Sequence, residues 1–405
     1  MTRLPGSPSG RDPDRTTIGG LPRGLPRALL ILGVIAALLG LSAPVVSAAA
    51  SADYIVMLKV PGSRSGHVSR DHGRKYGVDA SRVYGHALSG YAARLSPAQL
   101  QDVRSDPSVA AVVPDGIAST AETQTDATWG LDRIDQRRLP LNDTFTYTAT
   151  GAGVTVYVID TGIRTTHAEF GGRAVSGWDF IDDDDDASDC DGHGTHVAGT
   201  IGGATYGVAK EVDLVAVRVL DCFGSGPWSA IIAGIDFVTA QHQAGEPAVA
   251  NMSLGGGANI AVDAAVRNSI ADGVAYAVAA GNSNFSACQF SPARVPEAMT
   301  SAASTITDAK ASFSNWGSCV DWFAPGQDVT SAWRTSDTAT NTISGTSMAS
   351  PHTAGVAALY LETHPGASPA SVHQALRSGA SSKRINGLDR RLYPGTANLL
   401  LFTNY

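Results

Sequence analysis

The stretch Val154-Thr155-Val156-Tyr157-Val158-Ile159, followed at once by Asp160-Thr161-Gly162, decides the class of fold. A nearly continuous apolar run of this length reads as a strand buried on both faces, as strands of parallel sheets are. The pattern repeats downstream. Residues 212–220, 248–254 and 274–280 read as further strands, and residues 194–201, 228–239 and 260–270 between them as helices. Strands alternating with helices predict an α/β domain, a parallel sheet with helices on both faces. In such a sheet the site lies at the carboxyl ends of the strands.

Four motifs fall at strand ends or helix starts that this edge could gather. Asp160 follows the opening strand. His193 sits in Asp191-Gly192-His193-Gly194-Thr195-His196, at the start of a helix of small residues. Asn282 follows another strand in Ala279-Ala280-Gly281-Asn282. Ser347 lies in Gly345-Thr346-Ser347-Met348-Ala349-Ser350-Pro351-His352, ahead of an apolar segment, residues 353–361, that reads as a buried helix. Pro351 is tolerated there only near the first turn or at a kink. Each residue alone has a plain structural explanation: a turn-forming carboxylate, a packed histidine, an Asn turn, a serine N-cap. Together they are the types that one reaction needs. A serine hydroxyl is a poor nucleophile until an imidazole takes its proton. The imidazole needs a carboxylate on its other nitrogen. The oxyanion that forms needs donors, which a side-chain amide and a helix N-terminal N–H can supply.

Upstream of the α/β pattern the composition changes. The first 27 residues are rich in Pro, Gly and Arg. Residues 28–41 are apolar, Arg23 and Arg27 precede them, and Pro44 and the small run Val46-Ser47-Ala48-Ala49-Ala50 follow. This is the order of a secretory signal peptide, with cleavage expected after Ala48 or Ala50. The uncharged span 28–50 is also long enough to cross a bilayer, but the proline and the small-residue end favour cleavage. A secreted protein without stable membrane association is therefore expected. Residues 53–117 read as a small α+β unit. Its strands fall at 54–60, 90–95 and 109–113, and a helix capped by Ser96 starts at Pro97 and ends before Asp106. Residues 118–127 read as a linker.

Charge and cysteines agree with export. Residues 1–120 hold 13 basic and 8 acidic side chains, and residues 121–405 hold 16 and 29, nets of +5 and −13 within the overall −8. Opposite signs favour docking of the leading part on the following one. No basic patch with interleaved aromatics appears, which argues against nucleic-acid binding. The four cysteines, Cys190, Cys222, Cys288 and Cys319, suggest two disulfides in an oxidising compartment, with three possible connectivities. A four-cysteine zinc site is disfavoured because no C-x2-C pair exists.

The order Asp160, His193, Ser347, inside DTGI, DGHGTHVAGT and GTSMASPH, resembles the subtilisin-like serine peptidases. The resemblance extends to ATWGLDRIDQR (127–137), VANMSLGGG (249–257), AVAAGN (277–282), ASFSNWGSCVDWFAPG (311–326) and TANLLLF (396–402). Within the family it points to the proteinase K branch and its secreted, aqualysin-like bacterial enzymes. It implies a subtilisin-like domain over 121–405, a signal peptide over 1–50, and over 51–120 a ferredoxin-like propeptide that assists folding and blocks the cleft. Cutting is implied between Ala118 and Glu122. A monomeric, broad-specificity endopeptidase acting on proteins is implied, with Ser347 as nucleophile, His193 as base and acid, Asp160 as orienting carboxylate and Asn282 in the oxyanion hole. Gly224-Ser225-Gly226 and Ser253-Leu254-Gly255 would clamp an extended peptide. Cys190–Cys222 and Cys288–Cys319 is the implied pairing. Calcium is the implied cofactor, held by the carbonyls of Pro296 and Ala298 with Asp321, and at a second place by Asp132, Asp135 and Gln136. Ser350 and Thr353 depart from the family's usual Thr and Val. The acidic run 182–186 is unusually long and reads as a solvated loop. Two rivals are less favoured. A peptide-binding homologue would lack a triad member, and a serine esterase would carry a G-x-S-x-G elbow with the histidine after the serine.

Overall fold

The structure is a computed structural model, and it describes residues 51–115 and 121–405. The expected signal peptide lies outside the described residues, as does most of the expected processing segment. The chain divides into two compact units, Met1–Pro114 and Asp115–Tyr405.

The leading unit runs β1 (Ala52–Leu58), α1 (Ser65–Tyr76), β2 (Ala80–Tyr84), β3 (Gly90–Leu95), α2 (Pro97–Ser105), β4 (Val109–Pro114). Its antiparallel sheet has the order β2-β3-β1-β4. Helix α2 starts as its residues dictate. Ser96 Oγ accepts from Gln99 N, and the Gln99 side chain returns to Ser96 N, a reciprocal cap. Val56, Tyr91, Leu95 and Val103 form the core. Neither α1 nor β2 is marked in the sequence, for physical reasons. The buried face of α1 is Ser65, Val68, Ser69 and His72, so no apolar stripe marks it, and Gly66 and Gly73 lower its helix propensity. Strand β2 lies at the sheet edge with exposed central residues.

The following unit opens with β5 (Glu122–Thr125), α3 (Trp129–Ile134) and β6 (Thr144–Tyr147). Here the linker expectation is corrected, because residues 122–125 pair antiparallel with β6. Most of β5 is exposed, so it has no apolar alternation to betray it. Then come β7 (Thr155–Asp160), β8 (Ala174–Asp179), α4 (His193–Gly202), β9 (Asp213–Arg218), α5 (Trp228–Gln241), β10 (Ala248–Met252), β11 (Gly256–Gly257), α6 (Ile260–Asp272) and β12 (Ala275–Ala279). They are followed by β13 (Phe290–Ser291), β14 (Met299–Ser304), β15 (Trp322–Pro325), β16 (Val329–Ala332), β17 (Thr340–Ile343), α7 (Thr346–Thr363), α8 (Pro369–Gly379), β18 (Ser381–Ser382) and β19 (Leu399–Leu400). The nine-stranded sheet has the order β18-β19-β15-β14-β12-β10-β7-β9-β8, and only the β18–β19 pair is antiparallel. Alternate residues of β7 serve the two faces. Val156 and Val158 pack with residues of α4 and α7, while Tyr157 and Ile159 pack with residues of α5 and α6. The α/β class follows from this two-sided burial.

Helix α7 crosses the core against β10, β12 and β14, and its Gly355 permits close approach to the segment between α4 and β9. A Cβ on Gly355 would stand 2.5 Å from Val208 Cβ. The helix begins at Thr346, so Ser347 is its second residue, and Pro351 falls inside it. Asp160 is the last residue of β7 and His193 the first of α4.

Candidate active site

The carboxyl ends of β10 and β12 and the amino ends of α4 and α7 border one cleft of about 700 Å³, with Asp160 at the end of β7 buried behind His193. His193, Gly224, Ser225, Gly226, Ser253, Leu254, Gly255, Asn282 and Ser347 are among the residues that line it. Phe223, which no motif singles out, stands 89 % exposed at its rim.

Asp160 is fully buried. Its Oδ1 accepts from Thr161 N at 2.8 Å and lies 2.7 Å from His193 Nδ1. A quarter of the His193 side chain remains exposed to the cleft. Burial pushes its pKa down, but the Asp160 carboxylate outweighs that, with Asp191 and Asp189 adding, and the imidazole is held above its usual value. The tautomer follows, since a proton on Nδ1 facing Asp160 leaves Nε2 as the basic nitrogen. His196, by contrast, is buried against the Val329 carbonyl at 3.0 Å and pushed down to about 3, so it stays neutral.

Asp189, which no motif singles out, seats helix α4. Its carboxylate accepts from Gly192 N at 2.8 Å, Thr195 N at 2.8 Å, Thr195 Oγ1 at 2.5 Å and Thr161 Oγ1 at 2.9 Å. It thereby ties the end of β7 to the start of α4. The available signal was an acidic residue four before the helix, satisfying the N–H groups of its N-cap and its third residue. Gly192, the N-cap, has a φ of 115°, where a side chain is strained.

Asn282 follows Gly281, whose φ of 100° makes the turn out of β12. The Asn282 Oδ1 accepts from Thr346 N at 2.8 Å and Thr346 Oγ1 at 2.9 Å. With its oxygen so engaged, the amide turns its Nδ2 toward Gly345 beside Ser347. The Ser347 hydroxyl donates to the Ser253 carbonyl at 3.1 Å rather than to the imidazole. Loose nucleophile–base geometry is usual before substrate binds.

Disulfides join Cys190 to Cys222 and Cys288 to Cys319, the pairing implied by the family. The first holds the segment before α4 to the segment bearing Gly224–Gly226. Arg218 pairs with both Asp179 and Asp182, so the start of the acidic run folds around a cation within the protein.

The two expected ion sites differ. Asp132 is fully buried, with its carboxylate taken by Asn142 N at 3.0 Å and Asp143 N. Asp135 Oδ2 accepts from Thr146 N at 2.7 Å, while its Oδ1 is buried with no partner among the described residues. Burial raises the Asp135 pKa to about 6. An orphaned anionic oxygen beside a second carboxylate fits a hard cation. Asp321 has partners for both of its oxygens. Its Oδ2 accepts from Thr300 N at 2.9 Å, and its Oδ1 holds His373 Nε2 at 3.0 Å and Arg377 Nη1 at 3.1 Å. At the expected set of Asp321 with Pro296 and Ala298, a guanidinium and an imidazole therefore already stand against the carboxylate. Among the described residues no group of three or more His, Cys, Asp or Glu side chains gathers as a metal site.

Residues 151–393 match the subtilase family, and residues 53–121 match the peptidase inhibitor I9 family. Alkaline serine exoprotease A of Vibrio alginolyticus is 54% identical over 334 residues, 81% of this chain and 61% of that protein. An extracellular serine proteinase of Thermus sp. (strain Rt41A) is 55% identical over 329 residues, 81% of this chain and 79% of that protein. The chain thus spans less than two thirds of the Vibrio relative's length. A solved cold-adapted subtilisin-like serine proteinase superposes with a TM-score of 0.66 at 54% identity, covering 69% of this chain and all of that one. With this fold and this cleft, the chain belongs to the subtilase family of serine peptidases, its α/β domain preceded by an I9-type propeptide.

Proposed function

We propose that the chain is a secreted, extracellular serine endopeptidase of broad specificity, made as a zymogen that removes its own leading domain. The observation that carries the reading is the Asp160–His193 pair, 2.7 Å apart, opening on the same cleft as Ser347 and Asn282. Ser347 Oγ attacks the scissile carbonyl carbon while His193 Nε2 takes its proton, and Asp160 stabilises the imidazolium. Asn282 Nδ2 and the Ser347 N–H hold the oxyanion. Collapse expels the amine with the proton from His193 and leaves an acyl-enzyme. Water, deprotonated by the same imidazole, releases the acid. Gly224–Gly226 and Ser253–Gly255 bind the substrate backbone on either side as a middle strand.

Placement in the proteinase K branch, near the aqualysin-like enzymes, is supported by the stretches around Asp160, Asn282 and Ser347. The printed names of the Vibrio and Thermus relatives support an extracellular location. Residues 1–50 serve as signal peptide, 51–120 as propeptide and 121–405 as a monomeric peptidase without nucleic-acid or stable membrane association. The βαββαβ order of the leading unit supports a ferredoxin-like propeptide. Asp132, Asp135 and Gln136 would hold a calcium ion, which when bound stiffens the start of the peptidase domain and takes no part in proton transfer.

The test uses mature protein and unfolded casein. The wild type cuts it, and Ser347→Ala, matured by added wild type and repurified, does not. Casein hydrolysis by that variant would overturn the assignment, and a binding-only homologue would leave casein intact in both.

A further inference from the structure

Pro351 creates a gap at the nucleophile. In an α-helix the N–H of residue i+4 bonds to the carbonyl of residue i. For Ser347 that donor would come from residue 351, and proline has none. The carbonyl is not left bare, because Ser253 Oγ donates to Ser347 O at 2.7 Å. In the other direction Ser347 Oγ donates to Ser253 O at 3.1 Å. Two reciprocal bonds thus close a ring between the first turn of α7 and the segment leaving β10.

The Ser253 hydroxyl has one proton, and that proton is committed to Ser347. It must accept its second bond, and Asn251 Nδ2 supplies it at 2.9 Å. The Asn251 Oδ1 then accepts from Ser350 Oγ at 2.7 Å. Asn251 and Ser350 are fully buried and Ser253 is only 4% exposed. The chain of bonds therefore has a single direction, Ser350 to Asn251 to Ser253 to the Ser347 carbonyl, and both its ends lie on α7. It gives Ser350 a task, although that position departs from the family's usual residue. The hydroxyl that threonine shares with serine is the part the chain uses.

We propose that the Ser253 hydroxyl, oriented by Asn251 and Ser350, is a positioning group for the nucleophile. It replaces the main-chain donor that Pro351 removes and sets the direction in which Ser347 presents its hydroxyl and its N–H. The proposal rests on the reading of Ser347 as nucleophile. Holding a main-chain carbonyl within the first turn fixes the Cα–Cβ vector of the residue that attacks, and an error of an ångström there costs rate rather than binding.

Each variant is made as the full chain, matured, and assayed on a tetrapeptide p-nitroanilide. Ser253→Ala is expected to lower kcat about 5- to 10-fold, the scale of one neutral hydrogen bond, with KM within about twofold. Ser253→Thr restores kcat. Asn251→Ala lowers kcat similarly, and the double variant falls no further than either single one, as members of one chain should. Ser350→Ala reads the same chain if Asn251→Ala does not fold. An unchanged kcat in Ser253→Ala, a loss carried wholly by KM, or additive losses in the double variant would each overturn the proposal. Ser347→Ala runs in parallel. If it is inactive while Ser253→Ala keeps full kcat, the positioning role fails and the nucleophile stands. If Ser347→Ala stays active, the underlying reading fails.

Discussion

The carboxyl edge of the sheet and the two expected ion sites were both inferred from motifs, and they turned out differently. At the sheet edge, His193, Asn282 and Ser347 from three separate motifs open on one cleft, and Asp160 from a fourth meets His193 from behind. At the ion sites the groups divide: Asp135 keeps a buried oxygen without a partner, and Asp321 is already bound by His373 and Arg377. The difference lies in what can substitute for what. Proton relay to a hydroxyl ties carboxylate, imidazole and serine together, because altering one type disables the others. Neutralising a carboxylate makes no such demand, and a guanidinium serves as well as an ion. Motif carry-over is therefore stronger for covalent chemistry than for charge balance.

The largest expected effect would break the first half of that contrast. Ser347→Ala should lower kcat by ~10⁶, the scale known for the nucleophile of a subtilisin, as read by peptide anilide turnover. Asn282→Ala should cost ~10²–10³ in kcat with little change in KM, the scale of an oxyanion donor in a subtilisin. The pH profile comes next. The imidazole must be neutral to accept a proton, and its pKa is raised by Asp160 against the opposing effect of burial. Activity is therefore full above that pKa and falls about tenfold per unit below it. The acid limb of kcat/KM should sit above the unperturbed histidine value of about 6.5.

The smaller effects sharpen the second half. Chelation of mature, phosphonate-inhibited protein should lower Tm by roughly 5–10 °C if the ion is present at about a hundred times its Kd. Asp135→Asn should abolish that response, and Asp321→Asn should leave it intact. The reverse pattern in differential scanning fluorimetry would exchange the roles of the two carboxylates. Arg377→Ala should cost only about 1 kcal/mol or less, because its side chain is 45% exposed and the pair is screened by solvent.

What the sequence carried, and what it did not, follows from how local each signal is. Strand β7 is legible because burial on both faces demands continuous apolar residues. Helix α2 is legible because its cap lies within Ser96–Gln99. Helix α1 is hidden because a polar set, Ser65, Ser69 and His72, makes up most of its buried face. Strand β5 is hidden because it is mostly exposed. At the site, Asp160, His193, Asn282 and Ser347 each announce themselves at an element end. The bond from Ser253 to the Ser347 carbonyl joins residues 94 apart in sequence, and that from Arg377 to Asp321 joins residues 56 apart. No periodicity or spacing records such meetings, although Pro351 did leave a local trace of the first by removing the donor it replaces.

Labelling the mature protein with a fluorophosphonate, followed by peptide mass spectrometry, tests the central claim most directly. The account predicts one adduct, on Ser347, formed quickly by the wild type and at a far lower rate by His193→Ala. An adduct elsewhere, or equal labelling rates in the two proteins, would contradict it.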